Sequence, residues 1–457
     1  MLFEILLILG SVVIAALARE KTNIPPPVTL LLLAMAQALA THLHLLPPLN
    51  GHVFTIGNNP TAISDGAFDT LVFATLPLLI AADAMKLRYD ELKANFLNLF
   101  MLAVSAIGLS VFLGVVLLRT LPGVQTYFEL VPTSALVMLM AMLCATDPVT
   151  VSSIFSSAPV PHKLKFLTEG ESLFNDATAL IIFSLARTAL TSGQTLPISQ
   201  ITQTALFVVF AAVALGLLCG FIGYLCMKTT RDPFVETASL LLSAYAAYQF
   251  SELYHASGIL AVITATVLIT YLIRHSIYLQ LNSLPPRNIL SHVFDKEPSS
   301  QENFELATKL FDFLAFLCAT ALFMSIALSF NFSSCLLYWK ESLILFLLVT
   351  CIRAISLSQI SLIASVYNYI NTSPTKPNLT HLPRHWLAIL TFAGSKGALS
   401  IVMVHLVPTS YAWSTMLEAI VINNIILSIV VYAPILLLVI RTHRNQLQHE
   451  LSQEQTH

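Results

Sequence analysis

Long apolar runs separated by short polar stretches dominate this sequence. Windows of about 20 mostly apolar residues, the length that spans a bilayer as a helix, occur about thirteen times in 457 residues. They lie near residues 2–18, 25–42, 66–85, 95–118, 130–155, 164–186, 203–227, 233–252, 257–273, 308–330, 341–369, 383–408 and 412–440. Only 10% of the residues are charged, whereas soluble domains contain about 25%. The sequence therefore predicts an all-α polytopic membrane protein of about 13 transmembrane helices, with a transmembrane domain at 1–440 and a short cytoplasmic tail at 441–457.

The positive residues predict the orientation of the chain. When the odd-numbered loops are placed in the cytoplasm, the outside loops contain only three Lys or Arg residues, Arg119, Arg187 and Lys340. The inside loops contain sixteen: Arg19, Lys21, Lys86, Arg88, Lys93, Lys163, Lys165, Lys228, Arg231, Arg274, Arg287, Lys296, Lys376, Arg384, Arg441 and Arg444. Because cytoplasmic loops carry the excess of positive charge, we predict a protein of the plasma (inner) membrane with its N-terminus outside and its C-terminus in the cytoplasm. The first window lacks a basic leader and carries Glu4, so it is expected to remain as a span.

The sequence offers no place for an extramembrane catalytic domain. Its only long hydrophilic stretch is 274–307, and it contains no Walker-type phosphate loop, no HExxH and no CxxC motif. A net charge of −2 gives no basic surplus for binding nucleic acid. We therefore expect no cofactor and no nucleic-acid partner, and any transport must be driven by an ion gradient.

Three groups of ionisable side chains inside the windows are candidates for function, because a charge within a bilayer is costly. The first group lies in the run ATDP at 145–148, in the middle of the fifth window. Pro148 lacks an N–H and disfavours helical geometry at the preceding residue, so the helix is expected to unwind there. Unwinding frees the Thr146 carbonyl and presents the Asp147 carboxylate, an arrangement that builds ion sites in transporters. A simple proline kink with a neutralised aspartate is the alternative.

The second group is a polar stripe in the sixth window. Residues three or four positions apart share a helix face, so Glu171, Ser172, Asn175 and Asp176 are predicted to lie together, and the run from 177 to 186 is almost entirely apolar. A single buried carboxyl group could be protonated and structural. Two carboxyl groups, an amide and a hydroxyl on one face instead indicate a cation site, since hard cations prefer oxygen ligands.

The third group is formed by Arg353 in the eleventh window and Lys396 in the twelfth. A buried arginine keeps its charge and needs a carboxylate partner. Glycines close to Lys396 allow a second broken helix. The alternative for Lys396 is a side chain that snorkels to the membrane surface from a helix end.

These motifs, in the order in which they occur along the chain, resemble those of the monovalent cation:proton antiporter superfamily, specifically its NhaP/NHE-type sodium/proton exchanger branch. The most specific matches are ATDP at 145–148 and EGESLFNDATAL at 169–180. Supporting matches are DPFVE at 232–236, SGILAV at 257–262 and GSKGA at 394–398. The resemblance covers most of the chain, from about residue 76 to about residue 408.

The resemblance implies a fold of about thirteen helices with inverted repeats and broken crossing helices, the NhaA/NhaP-like antiporter fold. It also implies a homodimer, in which a core bundle carries the ion past a dimerisation domain. Asp176 would then bind cation and proton in turn, and Na⁺ would be held by Asp176, Asp147, Ser172 and the carbonyl of Thr146.

Further implications concern the residues around that site. Glu171 and Arg353 would form a structural ion pair near Asn175, with Lys396 in a supporting position. An Asn-Asp pair, as found at 175–176, goes with electroneutral exchange of one cation for one proton in this family. Asp147 is expected to stay ionised, held by the backbone N–H groups of the broken helix.

Two positions depart from the family pattern. The family often has Pro-Leu-Leu-Phe-Glu-Ala in the third span, and here Ala81 stands where that glutamate would be. Asp83 lies about 200° around the helix from Ala81, so it cannot substitute, and it is expected at a solvated helix end near Lys86. Lys396 replaces the usual arginine of Gly-Leu-Arg-Gly, which keeps the charge but loses the bidentate fork. Both departures concern ion preference and pH response.

We therefore predict a secondary antiporter rather than an enzyme, exchanging Na⁺ (or Li⁺ or K⁺) for H⁺ by competition at Asp176 and serving pH homeostasis. Its partners would be monovalent cations, protons, membrane lipid and a second copy of the chain. A cation channel or a proton-coupled symporter would use the same oxygen atoms, but the polar residues cluster at one depth rather than along a pore. An intramembrane hydrolase would need a nucleophile that Asn175 and Asp176 do not provide. His162, His255 and His405 belong to the residue type whose unperturbed pKa lies near neutral pH, and none is assigned a role.

Overall fold

All regular secondary structure in the described residues is helical, as expected where backbone groups must bond within their own segment. The computed structural model describes residues 2–22, 25–43, 65–156, 158–193, 197–229, 232–281, 301–329, 331–370, 382–407 and 410–456. The predicted inside-loop residues Arg231, Arg287, Lys296 and Lys376, and residues 282–300 of the predicted hydrophilic stretch, lie outside the described residues.

Nineteen α-helices lie in these ranges, and a π-helical turn (Met101–Ser105) joins the fourth to the fifth. They are α1 (Leu2–Thr22), α2 (Pro26–His42), α3 (Asp65–Ala84), α4 (Tyr89–Phe100), α5 (Ala106–Thr120), α6 (Gln125–Phe128), α7 (Thr133–Cys144), α8 (Pro148–Phe155), α9 (His162–Ser192), α10 (Ile198–Lys228), α11 (Pro233–Leu253), α12 (Gly258–Leu281), α13 (Gln301–Ser329), α14 (Phe332–Leu337), α15 (Trp339–Ile370), α16 (Arg384–Phe392), α17 (Ala398–His405), α18 (Ser414–Thr442) and α19 (Arg444–Thr456).

Each predicted apolar window coincides with a helix or with a pair of short helices. Within the described residues, eight stretches are helices that are long and apolar enough to cross a membrane. Two shorter apolar helices, Pro26–His42 and Phe73–Ala84, add to these eight. The predicted all-α polytopic fold is confirmed, whereas the count of thirteen spans remains a prediction.

The chain forms two compact units. Unit 1 comprises Met1–Val72, Ala94–Leu196 and Thr320–His457, and it contains the three groups of ionisable residues predicted within the apolar windows. Unit 2 comprises Phe73–Lys93 and Pro197–Ala319. In unit 2, a Cβ added to Gly220 of α10 would lie 2.8 Å from the carbonyl oxygen of Ala265 in α12. These two helices therefore pack backbone against backbone, as small residues allow in membranes.

The fifth window is broken where its proline predicts. Helix α7 ends at Cys144, Asp147 is extended (φ −106°, ψ 119°), and α8 begins at Pro148. Pro148 occupies the first position of α8, where its missing N–H costs nothing. Asp147 caps α8, because its carboxylate accepts a hydrogen bond from the Thr150 N–H at 3.2 Å. The alternative of a continuous, merely kinked helix is therefore wrong.

A second break separates α16 from α17 and meets the first. The backbone N–H of Asp147 donates to the carbonyl of Ser395 at 2.7 Å, and Ser395 Oγ donates to the Asp147 carbonyl at 3.3 Å. One turn further along α17, Ser400 Oγ donates to the carbonyl of Met142 at 2.9 Å. The two broken helices thus cross and satisfy each other's free backbone groups, as predicted for a fold with broken crossing helices.

The predicted polar tail continues as helix α19, which contacts the starts of two other helices. The carboxylate of Glu454 accepts hydrogen bonds from the first two backbone N–H groups of α9, at 2.7 and 3.2 Å. Glu450 accepts one from Trp386 Nε1 at 2.9 Å and lies 3.0 Å from His385 Nε2, both in α16. Because the first N–H groups of a helix have no partner within it, a carboxylate there is stabilising. Helix α19 therefore connects the starts of α9 and α16. The charge bias predicts that both starts lie on the cytoplasmic side.

Candidate cation site

Polar side chains of α9 face the break between α7 and α8, as the stripe predicts. Glu171, Ser172 and Asn175 are buried, and Asp176 is half-buried. Asp176 Oδ1 accepts a hydrogen bond from the backbone N–H of Thr146 at 3.2 Å. The freed backbone of the broken helix therefore lies directly against the Asp176 carboxylate.

The hydroxyl groups of Thr146 and Ser172 form a hydrogen-bond chain with one direction. Ser172 Oγ donates to the Thr146 carbonyl at 2.8 Å and lies 2.9 Å from Thr146 Oγ1. Since a serine hydroxyl has one hydrogen, the hydroxyl of Thr146 must donate in the second contact. Thr146 Oγ1 in turn accepts from Asn175 Nδ2 at 3.0 Å. Each hydrogen is thus committed within the chain, and oxygen lone pairs of Ser172 and of the Thr146 carbonyl remain for a cation.

Asn175 joins the stripe to the end of α7. Besides Thr146 Oγ1, its Nδ2 lies 3.1 Å from the carbonyl oxygen of Cys144 and 3.2 Å from Glu171 Oε1. Cys144 is the last residue of α7, so its carbonyl has no partner within the helix. The amide nitrogen therefore links α9 to the end of α7 at the break, and the supporting role of Asn175 stays a prediction.

Asp147 is held from both of the broken helices. Its Oδ2 accepts hydrogen bonds from the N–H and the hydroxyl of Thr150, each at 3.2 Å. A Cβ added to Gly397 would lie 2.9 Å from Cγ of Asp147 and still closer to its Cβ. Only a glycine at 397 therefore allows the second broken helix to approach the Asp147 side chain this closely.

The predicted ion pair is present between α9 and α15. Arg353 Nη2 lies 3.0 Å from Glu171 Oε2, with side-chain exposures of 12% and 2%. The guanidinium also donates to the carbonyl of Leu390, from Nε at 3.2 Å and from Nη2 at 3.1 Å. A Cβ added to Gly394 would lie 2.6 Å from Arg353 Nε, so this glycine makes room for the guanidinium. A hydrogen-bonded and paired charge is the form in which an arginine is tolerated in such a place.

Lys396 lies in the second break and is 3% exposed. Its backbone N–H donates to Ser428 Oγ in α18 at 3.0 Å. The side chain lines a small cavity together with Glu171, Asn175 and Arg353. The snorkelling alternative for Lys396 is therefore wrong, because the side chain points into the protein.

Two residues that contribute to this site lie outside the groups that the motifs predict. Thr150 has a local signal, because an aspartate followed by a proline is typical of a helix start. Asp147 is the residue that caps this helix, and its side chain accepts from the Thr150 N–H. Ser395 has no such signal, because its contact with Asp147 joins residues 248 positions apart. The departure at Ala81 leaves a buried apolar side chain, and Asp83 pairs with Lys86 at 2.7 Å as expected at a helix end.

The fold and the site define a class of protein. An all-helical membrane protein in which two broken helices cross beside carboxylates has the architecture of a secondary transporter. The family model for "Sodium/hydrogen exchanger, transmembrane" matches residues 7–440. The chain belongs to this family.

Curated relatives and a solved structure agree with this assignment. The Na⁺/H⁺ antiporter NhaH of Halobacillus dabanensis is 30% identical over 198 residues, covering 42% of this chain and 47% of the relative. The low-affinity Na⁺/H⁺ antiporter NhaS1 of Synechocystis is 26% identical over 340 residues, covering 74% of this chain and 58% of the relative. The matches thus span about half the length of these relatives. The sodium proton antiporter MjNhaP1 of Methanocaldococcus jannaschii matches with a TM-score of 0.67 at 15% identity over 97% of both chains, which shows the same fold.

Proposed function

We propose that the protein exchanges a monovalent cation, with Na⁺ expected before Li⁺ or K⁺, for H⁺ by alternating access. The observation that carries this proposal is the position of Asp176, whose carboxylate bonds the freed backbone of Thr146 at the crossing of two broken helices. Ser172 and the Thr146 carbonyl add neutral oxygen atoms beside it, and Asp147 adds a second carboxylate from the same break. Such a set of oxygen ligands suits a small hard cation.

Exchange follows from competition at a single carboxylate. Asp176 is neutralised either by a proton or by a bound monovalent cation, and a neutral site crosses an apolar barrier at much lower cost than a bare carboxylate does. A bare Asp176 would therefore be retained on one side, which couples the two fluxes and prevents a leak. No second proton site is required.

The first test is substitution of the carrier. We expect Asp176→Asn to abolish cation-dependent dissipation of a pH gradient in inverted vesicles while leaving folded, membrane-inserted protein. Asp83→Asn is the matched control, because it makes the same chemical change at a carboxylate paired with Lys86, and it should retain exchange. Adding Na⁺, Li⁺ and K⁺ in turn to the wild type identifies the ion. Exchange that survives in Asp176→Asn would refute the assignment of the carrier.

We further propose that exchange is electroneutral. Asn175 leaves one titrating group in the stripe beside Asp176, and hydrogen bonds from Thr150 compensate the charge of Asp147. One carboxylate carrying one cation or one proton moves the same charge in both directions. In proteoliposomes with an imposed membrane potential, the rate of exchange and the final pH gradient should be independent of the potential. A final gradient that follows the potential would mean that Asp147 titrates as well.

The alternative functions give different results in the same vesicles. A cation channel would pass cations without moving protons, and a symporter would move both in the same direction. An intramembrane hydrolase would leave the pH gradient intact. We also propose a homodimer in the plasma (inner) membrane with bound lipid, to be tested by native mass spectrometry of the protein released from its own membrane.

A further inference from the structure

A small cavity adjoins the stripe of α9 and is also lined by residues of α15 and of the second break. Its volume is about 20 Å³, and its polar lining comes from Ser110, Glu171, Asn175, Arg353, Ser356 and Lys396. A single water needs about 10–15 Å³ of such volume and two to four polar partners. The cavity therefore has the size and the lining to hold one water.

One residue that lines this cavity has a buried acceptor that receives no hydrogen bond from the described part of the chain. Asn175 is 0% exposed, and its Oδ1 accepts no hydrogen bond from any residue that the structure describes. The orientation of the amide is fixed, because Nδ2 faces three acceptors, the Cys144 carbonyl, Thr146 Oγ1 and Glu171 Oε1. Turning the amide over would bring an oxygen against three oxygens. Asn175 Oδ1 therefore requires a donor from a further molecule.

Lys396 supplies the complementary group. Its ammonium has three donors and no acceptor, and across the described ranges it makes neither a side-chain hydrogen bond nor a salt bridge within bonding distance. It lines the same cavity as Asn175. Between an ammonium that needs acceptors and an amide oxygen that needs a donor, a water satisfies both. Ser356, whose Oγ accepts from Ser110 at 2.9 Å, retains a hydroxyl hydrogen for the same water.

We propose that the cavity holds one ordered water that accepts from Lys396 Nζ and donates to Asn175 Oδ1, and that Lys396 is a positioning residue for Asn175 through this water. Asn175 in turn fixes the Thr146 hydroxyl and the end of α7, so the water stabilises the geometry of the cation site. Lysine at 396 is what leaves the space, because the larger guanidinium of an arginine would reach across it.

The structural test is a crystallographic or cryo-EM map of the wild-type protein at a resolution that shows other buried waters. We expect a peak in the cavity at hydrogen-bond distance from both Lys396 Nζ and Asn175 Oδ1. An empty cavity, or a direct bond between the two side chains, would overturn the proposal. This test does not depend on transport, so it remains decisive even if the proposed exchange activity fails.

The functional test, which rests on the proposed exchange, compares three variants at one position. Lys396→Met removes the donor, and we expect a several-fold higher KM for the cation with little change in kcat. Lys396→Gln keeps a donor without the charge, and Lys396→Arg replaces the water with a guanidinium, so both should keep KM close to the wild type. Lys340→Met, a change at an exposed lysine above Trp339, is the control and should change nothing.

Two results would contradict the positioning role. If Lys396→Gln behaves like Lys396→Met, the charge of Lys396 matters rather than its hydrogen bond. If Lys396→Met retains the wild-type KM, Asn175 needs no support from Lys396. If Lys396→Met does not fold, the other two variants still test the positioning role. Lys396→Gln and Lys396→Arg must then both keep the wild-type KM, and a higher KM in either one would contradict the role.

Discussion

Two glycines shape the site as much as its carboxylates do, because they leave space that a side chain would fill. Gly397 lets the second break approach Asp147, and Gly394 makes room for the guanidinium of Arg353. The motifs around Asp147 and the stripe of α9 could be predicted from the sequence, because helix periodicity and the effect of proline are local. The contacts of Gly397 and Ser395 could not, because they depend on how two segments far apart in the chain cross.

Gly397→Ala should disturb the Asp147 carboxylate directly. The added Cβ would overlap the Asp147 side chain, and a misplacement of 1 Å at a reacting group can cost about 100-fold. We expect kcat/KM for the cation to fall by at least about tenfold on that basis, measured as initial rates against cation concentration in proteoliposomes. Gly114→Ala is the control, because its Cβ would lie 2.6 Å from Sδ of Met140, near the flexible end of a side chain. Equal rates for the two variants would argue that Asp147 is not held by this contact.

The Glu171–Arg353 pair should be costly to break from either side. Removing one partner of a buried pair typically costs about 3–5 kcal/mol, because the other charge is left without compensation. Glu171→Ala and Arg353→Ala are therefore each expected to lower the melting temperature, and the double variant should lose less than the sum of the two. The exposed pair of Lys86 with Asp83 serves as a comparison, since breaking it should cost only about 0–1 kcal/mol. Fully additive losses would mean that Glu171 and Arg353 do not interact.

At the scale of helices, the breaks were predictable and the role of the last helix was not. Pro148 predicts where α8 begins, and glycines predict a break near Lys396, because both residue types act on their own backbone. The polar composition of the tail at 441–457 does not indicate which helices the tail contacts. Its glutamates reach α9 and α16 only in the folded chain, so no local pattern could reveal the contact.

Glu454→Gln should weaken the start of α9. The carboxylate accepts from two backbone N–H groups, and a neutral amide has one acceptor and no charge to favour the helix dipole. We expect a loss of about 0.5–2 kcal/mol, the usual worth of a helix cap, seen as a lower melting temperature in detergent. Gln448→Ala, an exposed change on the same helix, should have little effect. A Glu454→Gln protein as stable as the wild type would show that this contact contributes nothing to stability.

At the scale of the whole molecule, composition predicts the class of fold, and charge predicts its orientation. Each apolar window corresponds to a helix or a helix pair in the structure, because a bilayer leaves few other ways to satisfy a backbone, whereas α6, α14 and α19 lie outside the windows. Length and composition alone mark eight spans in the described residues, with two shorter apolar helices beside them, so the count of thirteen stays a prediction. The division into two units could not be predicted, since it depends on long-range packing.

The orientation can be tested by fusions. Green fluorescent protein added after the C-terminus should fluoresce, and alkaline phosphatase fused there should be inactive, because the charge bias places this end in the cytoplasm. Phosphatase fused after Gly193, in the loop that follows Arg187, should be active. The opposite pattern would reverse the predicted topology. The control combines Arg187→Ala with the phosphatase fusion after Gly193. It removes one of the three outside charges, and the phosphatase should remain active.

The bonds from Glu454 to the start of α9 also set an order of events during biosynthesis. The ribosome adds Glu454 292 residues after His162, which at about 5–20 residues per second takes about 15–60 s. Until Glu454 is added, the first two backbone N–H groups of α9 lack the carboxylate that caps them in the folded chain. A ribosome that stalls before Glu454 therefore releases a chain in which the helix that bears Asp176 is complete but uncapped.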